Sequence, residues 1–223
     1  MSGFFKALKT PIPSGSPDLD HLLAGGLPAG AITEIAAPWG SEAAQRIAAA
    51  IAWQRAKSGF PVFWISLDPD GGWVRKLGAA IEPIPENLVE LQPKDGEEAM
   101  GLAKLVLATP GALAVLDSIP RFSSRREKAS VANNAESGAR GLLSRGLKRL
   151  APILAGAGSA LLVLEGVRLR SDEEGRLARF PCAGLALRLR AAASLFAIEQ
   201  EAGGFEVTLI KPRPRRKRTL ASI

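Results

Sequence analysis

Apolar residues run through this chain in short unbroken blocks rather than in alternation with polar ones. Such blocks fill most of residues 62–67, 112–118 and 159–164, and apolar stretches interrupted by Thr33-Glu34 and by Glu90 cover 31–36 and 87–91. Blocks of this length predict strands buried on both faces of a parallel sheet. Between them the period changes. Residues 41–58 carry Ile47, Ile51 and Trp53 in an Ala-rich background, residues 96–108 carry Met100, Leu102, Leu105 and Val106, and residues 136–154 carry Leu143, Leu147, Leu150 and Leu154. Each predicts an amphipathic helix. Shorter helices are predicted over 18–23, capped by Ser16 or Asp18, and over 73–78. Alternating strands and helices imply an α/β fold with a mostly parallel central sheet, flanking helices and right-handed crossovers. Strands are predicted over 185–190, 193–200 and 205–211, with Gly203-Gly204 joining the last pair as an antiparallel hairpin. Charged segments over 121–134 and 170–179 predict loops. The implied division is an arm over 1–11, a core domain over 12–211 and an unstructured basic tail over 212–223.

Composition adds three constraints. At 223 residues, 47% hydrophobic and 23% charged, the chain suits one globular domain. Of the net charge of +7, six charges come from Lys211, Arg213, Arg215, Arg216, Lys217 and Arg218, so the remainder is close to neutral. That run, with Arg121, Arg125 and Arg126, offers a partner-binding or DNA-binding surface that neutralises phosphates. A solubilising tail explains the run equally well, and only Phe205 lies close enough to stack on bases. Cys182 and His21 each stand alone, which excludes a disulfide framework and gives no support to a metal site. The start of the chain lacks a signal-peptide core, and the apolar stretch 150–164 is interrupted by Pro152, Gly156 and Gly158. A cytoplasmic protein that does not enter a membrane is expected.

The candidate chemistry lies where the first strand meets the first long helix. A phosphate-binding loop GxxxxGK[ST] needs glycines to turn N–H groups toward phosphates, a Lys for the β and γ groups, and a hydroxyl for Mg²⁺. In that register Ala37 and Glu42 replace the glycines, Ala43 the Lys and Ala44 the hydroxyl residue. Asp68 and Asp117-Ser118 end apolar strands, where ligands bind in open α/β sheets.

Several motifs carry a resemblance in order and spacing. They are Ser14-Gly15-Ser16, Leu19-Asp20, Gly25-Gly26-Leu27-Pro28, Arg75-Lys76-Leu77-Gly78, Asn87-Leu88, Gln92-Pro93, Gly96-Glu97-Glu98-Ala99 and Leu116-Asp117-Ser118. Together they resemble the RecA ATPase core over almost the whole chain, Leu116-Asp117-Ser118 looking like its Walker B element. The resemblance implies further departures. Asp68 stands in place of the catalytic glutamate, Gly166 in place of the glutamine that senses the γ-phosphate, and 170–182 is short for the DNA-binding loop. Lys211 and Arg213 resemble a basic pair that contacts the neighbour's nucleotide in RecA filaments. The pattern is similar to the ImuA group of RecA-like proteins from bacterial mutagenesis cassettes. That likeness implies a pseudo-ATPase with no cofactor, partnered by RecA, by the Y-family-like subunit ImuB and by an error-prone C-family DNA polymerase in translesion synthesis. Two alternatives remain open here: a division inhibitor of the SulA type, and an ATPase with an unorthodox loop in which Asp117 and Ser118 hold Mg²⁺ and Asp68 positions water.

Overall fold

In the computed structural model the first strand, β1 (Ile32–Pro38), lies near the middle of one sheet. The structure describes residues 10–68, 72, 74, 76, 83–117, 132–171, 177–181, 190–201, 204–211 and 216–220, with the backbone path alone for 132–140, 168–171, 177–181 and 216–220. The remaining elements are α1 (Pro17–Leu22), α2 (Ala43–Lys57), β2 (Val62–Ser66), β3 (Leu88–Leu91), α3 (Gly96–Leu107), β4 (Leu113–Asp117), α4 (Ala132–Ala157), β5 (Ala160–Ser171), β6 (Leu177–Pro181), β7 (Ala193–Glu199), β8 (Phe205–Lys211) and β9 (Arg216–Leu220). Among the described residues the sheet order is β3-β2-β4-β5-β1-β7-β8-β9, with β6 paired to β5. Strands β3, β2, β4, β5, β1 and β7 are parallel to their neighbours along this path, and β7-β8-β9 form an antiparallel extension. This is the α/β, RecA-like architecture expected.

The unbroken apolar blocks are explained by what covers each face. Successive side chains of a strand point to opposite faces. Leu162 and Leu164 of β5, with Ile35 of β1 and Trp64 of β2, join a core beneath α2. Leu161 and Val163 join Ile65, Leu116 and the stripe Leu143, Leu147, Leu150 and Leu154 of α4 in a second core. Neither face meets water, so most positions on both faces are apolar. Fully burying each such leucine contributes roughly 1.5–3 kcal/mol. Helix α2 presents Ala43, Ala44, Ala48, Ala49, Ala52 and Ala56 to the sheet, all 3% exposed or less. Small side chains let its backbone approach the strands whose ends it must meet.

The lead-in folds as a clasp. Ile12 and Leu27 exchange backbone hydrogen bonds of 2.8 Å. Gly26 holds a φ of +125°, and a Cβ there would collide with the Ile12 carbonyl. Ser16, rather than Asp18, caps α1 by accepting from the Leu19 amide at 3.4 Å, while Asp20 accepts from the Ser14 amide at 2.7 Å.

Three expectations are corrected. The charged segment 170–179 is not wholly a loop, because β5 runs on to Ser171 and pairs antiparallel with β6, Val167 opposite Pro181 and Ser171 opposite Leu177. Nor is 212–223 an unstructured tail throughout, because β9 pairs with β8, Arg216 opposite Leu209 and Leu220 opposite Phe205. Main-chain hydrogen bonds offered by a neighbouring strand hold both segments, whatever their charge. Helix α4 begins at Ala132, so the end of the loop predicted over 121–134 is helical. The strand predicted over 185–190 lies outside the described residues except for Arg190, and the helix predicted over 73–78 except for Val74 and Lys76, both helical. No helix among the described residues is long and apolar enough to cross a membrane.

Candidate functional site

Parallel strands bring their carboxyl ends together, and here those ends open on a cleft of about 350 Å³. Strand β1 delivers Ala37 and Pro38 to it. The Trp39 amide extends the ladder by donating to the Val167 carbonyl at 2.9 Å. The chain then turns through Gly40, with the Ser41 amide donating to the Pro38 carbonyl at 2.9 Å, and enters α2. Ser41 Oγ accepts from the Ala43 amide at 3.2 Å, whereas the Glu42 side chain caps nothing. Ala37, Ala43 and Ala44 are 2%, 0% and 3% exposed and belong to the core under α2. Three of the four positions read as degenerate phosphate-loop residues therefore present buried methyl groups, and the fourth, Glu42, is exposed.

Acids line the cleft as well. Asp117 ends β4 at 1% exposure and accepts a long bond, 3.5 Å, from Gln45 Nε2 of α2. Glu165 of β5 is 2% exposed, and Asp68, half-buried, follows β2 with its amide donating to Ser66 Oγ at 3.2 Å. All three line the cleft, and no Lys, Arg or His does so among the described residues. Trp39 stands at its edge, 55% exposed. A Cβ on Gly166 would come within 2.8 Å of Trp39 Cε3, so the bare backbone at Gly166 is what lets the indole lie against β5.

Of the residues singled out from sequence, Ala37, Ala44, Asp68, Asp117 and Gly166 share this cleft. Glu42 and Ala43 stand in the connection into α2 that borders it. Lys211 ends β8, remote from the cleft in the sheet order, and its Nζ donates to the Ala191 carbonyl at 2.5 Å. Arg216, Lys217 and Arg218 fall within β9. Ser118, Arg121, Arg125, Arg126, Arg213 and Arg215 lie outside the described residues. Sequence reasoning did not single out Trp39, Gln45 or Glu165. Glu165 had a usable signal, an acid closing an apolar strand. The pairing of Trp39 with Gly166 had none, because it exists only once β1 and β5 are neighbours. Among the described residues no group of three or more His, Cys, Asp or Glu is arranged to hold a metal ion.

Comparison with known proteins adds the family. Residues 6–174 match the RecA N-terminal domain. The chain belongs to the RecA family. It is 30% identical over 159 residues to the protein RecA of a Picosynechococcus species, which covers 70% of this chain and 45% of that one. It is 34% identical over 166 residues to the protein RecA of Gluconacetobacter polyoxogenes, covering 71% of this chain and 46% of that one. Similarity extends to the mitochondrial DNA repair protein recA homolog of Dictyostelium discoideum, at 30% over 166 residues, 71% of this chain and 35% of that one. The chain thus spans less than half the length of these RecA-family relatives.

Proposed function

We propose that this RecA-family chain is a non-catalytic accessory protein of the DNA-damage response, resembling ImuA. In this reading it works in the cytoplasm, binds RecA or ImuB, and supports error-prone translesion synthesis by a C-family polymerase. The observation that carries it is the cleft itself, which is lined by Ala37 and Ala44 together with the acids Asp68, Asp117 and Glu165. These residues do not fit a nucleoside triphosphate. Phosphoryl transfer depends on fixed positive charge around the transferring group, and removing one such preorganised donor typically costs about 3–4 kcal/mol of transition-state stabilisation. Here the Lys position, Ala43, is a buried methyl and its neighbour Glu42 is an acid. The names of the relatives, RecA and a DNA repair homolog, support the repair context.

The placement of Asp68 and Asp117 in one cleft favours a second reading, an ATPase that holds Mg²⁺ on Asp117 and water on Asp68. Calorimetric titration with Mg-ATP, run on the same preparation as a pull-down with RecA and ImuB, separates the two. Capture of either protein without nucleotide binding supports the proposal, whereas ATP binding that depends on Mg²⁺ supports the enzyme. Contact with DNA through Lys211 and the β9 residues Arg216, Lys217 and Arg218 belongs to the proposal, with a steep loss of affinity as salt rises.

A further inference from the structure

We infer that the outer face of α3 and α4 is the docking surface for an acidic segment of a partner protein, one that carries apolar side chains among its carboxylates. The inference rests on the reading that this chain works by binding protein partners, and it names a surface for one. Helix α4 presents Arg145, Lys148 and Arg149 to solvent, and no Asp or Glu occurs between residues 137 and 157. Arg145 and Arg149 are one turn apart with Lys148 between them, so the three cations share one side of the helix. Like charges at these spacings oppose the helix, and all three stand more than two turns before its carboxyl end, too far to complement its dipole. Neither these three nor the exposed Lys104 of α3 takes part in a hydrogen bond or ion pair among the described residues. Folding gains nothing from grouping them.

Helix α3 completes the patch. A Cβ on Gly146 would collide with the Met100 side chain, so Met100 of α3 lies against the bare backbone of α4 at that point. Arg149 follows Gly146 by three residues and Lys104 follows Met100 by four, which sets both beside the seam between the helices. Leu105, the next residue, is 71% exposed, more than any other large hydrophobic residue among those described. These features favour a protein over a nucleic acid. Four cations engage about four phosphates at most, and releasing so few counterions gives weak binding at physiological salt. Glu97 and Glu98, exposed in the first turn of α3, would also repel a phosphate backbone laid along the seam. An exposed leucine offers phosphates nothing, whereas it can cover an apolar side chain of a protein segment. Arginine forks pair with carboxylates through two parallel hydrogen bonds and are enriched at protein interfaces.

The test uses the full chain and a fluorescently labelled peptide, Asp-Glu-Leu-Asp-Glu-Leu-amide, beside its uncharged counterpart Asn-Gln-Leu-Asn-Gln-Leu-amide, followed by anisotropy. The acidic peptide is expected to bind about tenfold more tightly than the uncharged one, with affinity falling as salt rises. Arg145→Gln, Lys148→Gln and Arg149→Gln combined should weaken it roughly tenfold, and Leu105→Ser roughly threefold. Circular dichroism checks that each variant is folded. Equal binding of the two peptides, binding unchanged in the triple variant, or no binding overturns the inference. Binding that needs the three cations but ignores Leu105, and that a duplex oligonucleotide shares, marks a nucleic-acid face and overturns it as well. A pull-down with RecA and ImuB on the same preparation separates the two levels. Peptide binding without capture of either protein overturns the proposed function and leaves this surface standing, whereas capture without peptide binding overturns this inference alone.

Discussion

Substituting Gly166 by Ala probes the contact that shapes the cleft. In a strand, replacing Gly by Ala ordinarily stabilises by about 0.5–1 kcal/mol, because the unfolded chain loses freedom. Here the added methyl would stand 2.8 Å from Trp39 Cε3, closer than van der Waals contact allows. Forcing such overpacking typically costs about 1–3 kcal/mol. The low end applies, because Trp39 is 55% exposed and can swing toward solvent. The two effects nearly cancel, so Gly166→Ala alone should change stability by less than about 1 kcal/mol in the destabilising direction. In a Trp39→Ala background the collision is absent and the same substitution should stabilise by about 0.5–1 kcal/mol. A double-mutant cycle from urea midpoints at constant slope reads the coupling, expected at about 1–2 kcal/mol. Fluorescence of Gly166→Ala should move to longer wavelength as the indole enters water. A coupling below about 0.3 kcal/mol, within the error of additivity, would falsify the proposed contact.

Other expectations follow from local geometry. Asp95 accepts from the Glu97 and Glu98 amides at 3.0 and 2.9 Å, so Asp95→Ala should cost about 1 kcal/mol in denaturant melts and Asp95→Asn very little. Arg46 and Glu199 meet at 2.7 Å with side chains 44% and 46% exposed, so Glu199→Gln should cost under about 1 kcal/mol, and that cost should vanish in high salt. Leu147→Ala, at a fully buried position between α4 and the sheet, should cost about 2–5 kcal/mol and lower the melting temperature accordingly. Truncation after Lys211 should lower the melting temperature and raise light scattering, because it bares the edge of β8; an unchanged melt would mean that β9 adds nothing.

The sequence carried the sheet legibly wherever burial came from both faces. Val62–Ser66, Leu113–Asp117 and the start of β5 read as strands because both faces meet helices, and the leucines of α4 announced their own stripe. It carried less where a partner strand supplies the stability. Val167-Arg168-Leu169-Arg170 alternates apolar and basic residues, a period of two that marks a half-covered strand, yet the charge of 170–179 outweighed it as a signal. Arg216–Leu220 offers still less, since an edge strand needs only the main chain of β8. At the site, Ala37, Asp68 and Asp117 were found by register and by their places at strand ends, and Gly166 through the resemblance to RecA. The link from Gln45 to Asp117 could not be, because it depends on how α2 lies across β4.

The place of β1 has a consequence for synthesis of the chain. Its hydrogen-bonding neighbours are β5 and β7, both in the last third of the sequence, and Ala160 lies 122 positions after Pro38. At about 5–20 residues per second, a ribosome needs roughly 6–24 s to cover that distance. Throughout it, Ile32–Ala37, six residues destined for burial, have no strand to pair with. Such long-range pairing folds slowly and leaves an adhesive segment open meanwhile. The nascent protein should therefore depend on chaperones from β1 until β5 emerges, and changes that speed or stall translation between them should alter its yield more than its final stability.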